Sequence, residues 1–443
     1  MGIRSCLFRI IHDHIKKDDL FANYRMLLES QYWDEDKMQA YQFGLLRKLL
    51  VDAYDDTLYY KELFDGLGIN PRDIRKIEDL RQLPILTKND ITQNLESMTS
   101  RKRNPKNSKT NSTSGSTGVA LKFYSPTNVT MMRAIMMRCS QWMGVGLDDR
   151  TLQIWGHGFG EKEGFVKRLK LFLNNNKVIS GYDLSDADME EIIEVFRKRK
   201  PKLFITYPSI LEHIGNYCIP RKIEIRVDVI RIGGEKLYPH QRELAMKVFG
   251  APVFDFYGSR DITSIAMECK EHHGLHIMSE NVIVEVQDDN GNFVTEGEGD
   301  LIVTHLHNWV TPFIRYRIGD RVRISQRKCS CGRKLPLIEE VLGRSFDMIT
   351  FPNGNSVMGT FWTFLFKSKP GIDQFSVHLV AKDRLTIKYV ARNMLSDAAK
   401  EYFVSEIKKK SGAGLKVDFV LVDSIPVTSA GKLKFVFDET RQP

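Results

Sequence analysis

The run Thr113-Ser114-Gly115-Ser116-Thr117-Gly118 sets two glycines among four hydroxyl side chains. Such a loop offers backbone N–H and O–H donors with no bulky side chain in the way, which suits the wrapping of phosphate oxygens. It lacks the Gly-Lys-Ser/Thr ending of a Walker loop, and by composition alone it serves equally well as a linker. Tyr257-Gly258-Ser259-Arg260-Asp261 follows the strand-like run Val253–Phe256. A turn at Gly258 would gather an aromatic ring, a cation and a carboxylate at a strand's carboxyl end, where α/β sheets place ligands. In Phe313-Ile314-Arg315-Tyr316-Arg317-Ile318-Gly319-Asp320, Asp320 follows a glycine and offers acceptors for a ribose hydroxyl pair; a hairpin end with solvated charges is the bland alternative. Near the C-terminus, Ile425-Pro426-Val427-Thr428-Ser429-Ala430-Gly431-Lys432 holds a lysine on a glycine-containing loop, from which it can reach into another domain's cleft. Trp155-Gly156-His157-Gly158-Phe159-Gly160 permits close ligand approach, with His157 either lining a pocket or simply solvated.

A different chemistry is written in the sulfur. Of six cysteines, Cys329 and Cys331 are one residue apart, and Cys269 precedes them with His272, His273 and His276 close behind. Three thiolates and an imidazole make a tetrahedral zinc set, for which Cys269, His276, Cys329 and Cys331 are the chosen ligands. His272 or His273 could stand in for His276, and three reduced thiols in a turn is the alternative. Six sparse cysteines do not make a disulfide framework; they fit a reducing compartment, and a cytoplasmic location is expected.

These residues need a scaffold. A chain of 443 residues that is 42% hydrophobic and 27% charged has room for about two to three domains. That balance excludes a disordered or collagen-like chain. A net charge of +9 favours anionic ligands without marking a nucleic-acid binder. No apolar run is long enough to span a membrane; residues 3–17 read as a basic amphipathic helix, docked on the surface or lying on a membrane.

Residues 1–95 read helical. From about 120 to 340, strand-like runs (Leu203–Thr206, Val227–Ile232, Pro252–Tyr257) alternate with helices (Ser209–Tyr217, Pro239–Val248), which predicts an α/β layer with parallel pairing. Residues 281–325 alternate in shorter steps around Asp289-Asn290-Gly291-Asn292, predicting antiparallel strands or a distorted β-barrel. The last hundred residues predict a small α+β unit, with a hairpin over Lys382-Asp383, a helix over 396–409 and a strand over 415–422. The boundary is placed at 343/344.

In this order, the motifs resemble the adenylate-forming (acyl-CoA synthetase-like) superfamily. The match is closest to its phenylacetate–CoA ligase branch and the CapK-type proteins of capsular polysaccharide biosynthesis. Tyr59-Tyr60-Lys61, Leu83-Pro84-Ile85-Leu86-Thr87-Lys88, Tyr207-Pro208-Ser209 and Cys329-Ser330-Cys331-Gly332-Arg333 carry that branch, and the resemblance spans roughly residues 40–440. It implies a large N-terminal adenylate-forming domain of layered sheets, helices and a distorted barrel, 1–343. A small mobile C-terminal domain, 344–443, would bring the catalytic Lys432.

By the same resemblance, Thr113, Ser114, Gly115, Ser116, Thr117 and Gly118 would hold the ATP phosphates, with Thr117 counted in the catalytic set. Gly233, Gly234 and Glu235 would line adenine, with Tyr257, Gly258, Ser259 and Arg260 across from them. Asp320 and Arg344 would meet the ribose, and Asp261 would help hold Mg²⁺. His157 and Tyr207 would line the acid pocket, and zinc would pin segment 262–276 beside the ATP site. Several positions depart from the superfamily pattern. Asp261 is one methylene shorter than the usual Glu, Arg260 replaces a hydroxyl residue, Val119-Ala120 lacks the usual proline, and Phe346 stands at the hinge where a carboxylate is typical.

The implied activity is ATP-dependent activation of a small carboxylic acid as an acyl-AMP, followed by acyl transfer to CoA, an amine or a sugar, with surface polysaccharide as one context. An aryl-acid–CoA ligase and a non-catalytic nucleotide-binding scaffold are the alternatives. A monomer or homodimer is expected.

Overall fold

The computed structural model describes residues 3–112, 121–155, 171–181, 186–344, 349–351, 353, 356–357, 361–362, 365–366, 372, 374–412, 414–425 and 436–440. The first hundred residues are helical, in Ile3–Ile10, Leu20–Ser30, Glu35–Asp56, Leu58–Leu67 and Lys88–Met98. Their starts are set by local chemistry. Asp34 accepts the Lys37 N–H, Thr57 accepts the Tyr60 N–H, and Thr87 closes a capping box with Asp90. The first helix is docked: Ser5 gives its N–H and hydroxyl to Asp148 at 2.9 and 2.6 Å. None of the described helices is long and apolar enough to cross a membrane.

Strands follow: β1 (Ser108–Ser112), β2 (Lys122–Pro126), β3 (Thr151–Trp155), β4 (Asn176–Ser180), β5 (Leu203–Thr206), β6 (Val229–Gly233) and β7 (Val253–Tyr257). Then come β8 (Ala266–Glu268), β9 (Leu275–Ile277), β10 (Val282–Gln287), β11 (Phe293–Val294), β12 (Gly297–His305), β13 (Tyr316–Ser325) and β14 (Leu337–Arg344). β1 and β2 form a separate hairpin; β3 to β14 make one sheet in the order β11-β10-β12-β13-β14-β9-β8-β7-β6-β5-β3-β4. Pairing is parallel from β4 to β7 and antiparallel from β7 to β11. Helices Asp186–Arg199, Pro208–Cys218 and Pro239–Phe249 cover one face of the parallel half, the last two opened by a proline whose missing N–H costs nothing there. Leu20–Ser30 and Thr130–Trp142 cover the other face.

The expected distorted barrel gives way to a different arrangement: the described strands close no barrel, and β10 to β14 simply continue the sheet that β4 to β7 begin. What resembled a barrel in the sequence is curl. β7 and β13 are four inter-strand steps apart, about 19 Å if the sheet were flat, yet their side chains meet. The two linking strands β8 and β9 have three residues each, and β14 pairs with β9 only at Leu337 and Ile338. The far ends of β13 and β14 are therefore free to bend back over β7.

The C-terminal part forms β15 (Ile349–Thr350) with β16 (Ser356–Val357), and a second sheet of β17 (Gln374–Ala381), β18 (Arg384–Val390), β19 (Lys416–Leu421) and β20 (Val436–Asp438) in the order β19-β18-β17-β20. The hairpin over Lys382-Asp383 and the helix, at Asp397–Ser411, fall where the sequence puts them. Trp362, Phe366, Leu385, Ile387, Phe403 and Ile407 give this unit a core of its own.

Where the Thr130–Trp142 helix crosses Leu20–Ser30, Arg138 is fully buried and forks onto Glu280 at 2.6 and 3.0 Å, while Ser30 donates to the same carboxylate. Removing one partner strands a buried charge. Arg138→Met is expected to cost about 3–5 kcal/mol of stability, read as a lower urea midpoint at unchanged slope.

Candidate functional site

The candidate site lies where β7 ends. The Tyr257 hydroxyl donates to Asp320 Oδ2 at 2.6 Å, joining the last residue of β7 to the middle of β13. Asp320 is the cross-strand partner of Arg344 on β14, so the two residues assigned to ribose stand side by side on adjacent strands. The turn after Tyr257 is tight. Ser259 N–H donates to the Ile262 carbonyl at 2.9 Å and Ile265 N–H to that of Tyr257 at 3.0 Å. A Cβ on Gly258 would sit 2.8 Å from the Ser264 nitrogen, so no other residue fits there. Asp261 is buried at the base of this turn. Arg260 reaches out of it and donates to the Ser112 carbonyl at 2.7 Å. Ser112 immediately precedes the hydroxyl-rich loop, whose residues 113–118 lie outside the described residues, as do His157, Lys432 and Phe346. The turn is thus tied through Arg260 to Ser112, the residue before that loop.

On the neighbouring strand, Gly233 permits close approach, since a Cβ there would fall 2.7 Å from the Phe256 carbonyl oxygen. Gly234 takes φ +79°. Glu235 accepts from both the N–H and the hydroxyl of Ser209 at 3.0 Å. Its carboxylate therefore satisfies the amino end of the Pro208–Cys218 helix, and only the backbone of this strip is left for a base. Tyr207, buried just ahead of that helix, stacks on Trp155 with ring centroids 4.0 Å apart.

Asp255 lies two residues before Tyr257. Burial, and then the nearby Glu268, push its carboxyl up to about 7 from the usual 3.8, with Arg242 and Lys236 pulling the other way. The native chain then holds this proton more tightly than the unfolded one, so the group's contribution to stability falls as pH rises from about 4 to 7. Asp255→Asn is expected to unfold at a higher temperature than wild type at pH 8, with the gap closing at pH 5.

The four proposed zinc ligands do come together. Every ligand atom of Cys269, His276, Cys329 and Cys331 lies within 4.8 Å of the others. Cys269 follows β8, His276 is the centre of β9, and both remaining cysteines sit on the loop between β13 and β14. Cys269 and Cys329 sulfurs are 3.6 Å apart, and Cys331 Sγ is 3.3 Å from His276 Nε2. Zinc–sulfur bonds of about 2.3 Å at tetrahedral angles put two sulfurs about 3.8 Å apart, so the donor set fits the ion. The Leu335 carbonyl holds the other ring nitrogen of His276 at 3.3 Å and so aims Nε2 at the sulfurs. Burial lowers the His276 pKa to about 4 and raises the Cys269 thiol to about 12. The imidazole is thus already in its ligating form, while the thiol needs a cation to lose its proton. His272 instead pairs with Glu268 at 3.1 Å and packs on Phe254, which removes it as an alternative ligand. All six cysteines are free.

Sequence reading missed two things here. It placed Arg260 in the ATP-binding set without foreseeing its hydrogen bond to the Ser112 carbonyl. It also passed over Arg231, whose signal was plain: one charge inside the apolar run Val227–Ile232.

Comparison with known proteins agrees with this geometry. The family model for the CapK C-terminal domain matches residues 351–439. Phenylacetate-coenzyme A ligase from Thermus thermophilus is 22% identical over 437 residues, covering 91% of this chain and 97% of its own. Protein CapK from Staphylococcus aureus is 24% identical over 403 residues, with 86% and 85% covered. Among solved structures, 2-hydroxyisobutyryl-CoA ligase in the postadenylation state with R3-HIB-AMP superposes with a TM-score of 0.72 over 93% of both chains at 18% identity, a likeness of fold.

Proposed function

The chain belongs to the adenylate-forming superfamily, on the branch that holds phenylacetate–CoA ligase and CapK, and on that premise we propose that it is an ATP-dependent ligase activating a small carboxylic acid as its acyl-AMP. The observation that carries this reading is the Tyr257–Asp320 contact with Arg344 paired to Asp320. Three residues from distant parts of the chain, each matched to a nucleotide role, meet at one edge of the sheet.

The substrate carboxylate attacks the α-phosphorus of ATP, and pyrophosphate leaves. No protein nucleophile is needed; position and positive charge are. The loop at 113–118 holds the phosphate oxygens through its N–H and hydroxyl donors, and Arg260 fixes its entry by holding Ser112. Asp320 takes the ribose hydroxyls, with Tyr257 orienting the carboxylate and flanking the base opposite Gly233 and Gly234. Asp261 would hold Mg²⁺, which supplies charge neutralisation to the phosphates. Lys432 reaches the carboxylate and the α-phosphate as charge builds between them. By the family resemblance, His157 and Tyr207 would serve the acid side. The acyl group then passes to an acceptor, with CoA, an amine or a sugar as the chemical choices. Zinc at Cys269, His276, Cys329 and Cys331 has a structural role, and a reducing, cytoplasmic setting suits its free thiols.

Acid-dependent exchange of labelled pyrophosphate into ATP tests the reading directly. Exchange with at least one acid, abolished when acid is omitted, is the expected result. ATP binding without exchange for any acid would leave a nucleotide-binding scaffold instead.

A further inference from the structure

Strand β6 reads Val229-Ile230-Arg231-Ile232-Gly233. Alternation puts Val229, Arg231 and Gly233 on one face and Ile230 with Ile232 on the other. The packing agrees: Val229 shares its cluster with Ala134, Ile135 and Cys139 of the Thr130–Trp142 helix, and the two isoleucines pack on the opposite side. Arg231 lies between Ile205 on β5 and Phe254 on β7. Its guanidinium carbon is 5.4 Å from the centroid of the Phe256 ring, one pleat further along β7 than its own cross-strand partner. The side chain therefore climbs toward the strand ends, alongside Gly233, which contributes no side chain of its own. It carries its charge to the edge that holds Gly233, Gly234 and Tyr257.

This cation has no counter-ion among the described residues. Other guanidiniums drawn into the fold are paired: Arg138 has Glu280, Arg242 has Glu268 and Arg315 has Glu285, while Arg333 has the Gln31 amide oxygen. Arg231 has an aromatic ring and, as its sole electrostatic neighbour, the Cys139 thiol. Burial draws its pKa down to about 10. A half-buried guanidinium with no carboxylate beside it is a receptor for an anion, and its side chain rises along β7 toward the end of the sheet that holds Gly233 and Tyr257.

We propose that Arg231 is a specificity-determining residue of the acid site, reading a second carboxylate at the far end of the substrate, so that the acids activated are dicarboxylic. This rests on the ligase reading above. Arg231 selects the acid and leaves ATP alone. A monocarboxylic acid of the same length would leave the half-buried guanidinium without a counter-charge, and the site disfavours it for that reason.

The test is pyrophosphate exchange with length-matched pairs (succinate against butyrate, glutarate against valerate, terephthalate against 4-methylbenzoate) on wild type, Arg231→Lys and Arg231→Met. Wild type is expected to favour the dicarboxylate, the preference falling by about 10²-fold in Arg231→Met and less in Arg231→Lys, with the KM for ATP unchanged in both. Preference for the monoacids in wild type, or discrimination that survives Arg231→Met, overturns the proposal and leaves the ligase intact. If wild type exchanges with no acid at all, the ligase reading falls, and thermal unfolding with millimolar dicarboxylate decides Arg231 separately. A rise in Tm confined to wild type upholds the second-carboxylate site, and no rise rejects it. Should Arg231→Met fail to fold, Arg231→Lys carries the same comparison, since it keeps the charge and loses the fork.

Discussion

Lys432→Ala lowers acid-dependent pyrophosphate exchange by about 10²–10³-fold, the cost typical of losing one preorganised donor to a charged transition state. The reasoning is electrostatic. A carboxylate and a triphosphate repel each other, and their repulsion is largest as the new P–O bond forms. An ammonium held between them stabilises that geometry more than it stabilises either bound anion. The loss is therefore expected in kcat, with the KM for ATP changed only a few-fold. Chemically prepared acyl-AMP is expected to bypass the defect, because the role proposed for the lysine ends once the adenylate has formed. Exchange at the wild-type rate in the alanine variant would remove Lys432 from the mechanism. A parallel loss of ATP binding would make it a nucleotide ligand instead.

Much of this arrangement can be read from the sequence, and the reasons differ from place to place. Leu203–Thr206 is a strand in both accounts because three consecutive apolar residues and a β-branched threonine, bounded by turn signals, leave few alternatives. Pro208 and Pro239 mark helix starts through their fixed φ and missing N–H. Hairpin and helix in the C-terminal unit follow from local alternation and the Ser396 cap. The curl was not legible. Strand β13 alternates as barrel strands do, and only the brevity of β8 and β9 decides that the sheet bends without closing. That is a long-range consequence of two three-residue elements.

The candidate site divides along the same line. Tyr257 and Asp320 could be singled out by motif, but their hydrogen bond depends on the curl. Glu235 was assigned to adenine alongside its neighbours Gly233 and Gly234. That assignment rests on resemblance, and what the sequence did not reveal is the partner of the Glu235 carboxylate, the open amino end of the Pro208–Cys218 helix 26 residues away. The zinc set was legible in the sequence with His276 as the chosen imidazole, and packing gives the reason: His276 sits inside β9 with Nε2 3.3 Å from Cys331 Sγ, and His272 is held by Glu268. In each case residue chemistry was local information, and partner choice was set by the fold.

Removing zinc should therefore reach the nucleotide edge without touching it. Well-folded protein is expected to contain about one zinc per chain, and Cys329→Ser to contain none. The physical chain of effects is short. Zinc bound by this set would hold the β13–β14 loop to Cys269 and His276, and so clamp the β8–β9 hairpin. β8 pairs with β7 through Phe256 with Met267 and Tyr257 with Ala266. Without the ion, the Cys269 thiol, raised to about 12, takes back its proton, and the clamp reduces to weak thiol contacts. β8 and β9 then loosen, and Tyr257 loses the support that aims its hydroxyl at Asp320. Chelation is expected to lower Tm, to speed amide exchange first in residues 266–277 and 326–336, and to raise the KM for ATP; restoring zinc reverses all three. Zinc finger peptides draw about 10–16 kcal/mol from their ion, but here Cys269 also sits in a packed core cluster, so the fold as a whole survives and the effect is regional. Metal-free wild type with unchanged Tm after chelation would show that the four side chains are a reduced thiol cluster, and that packing alone positions Tyr257.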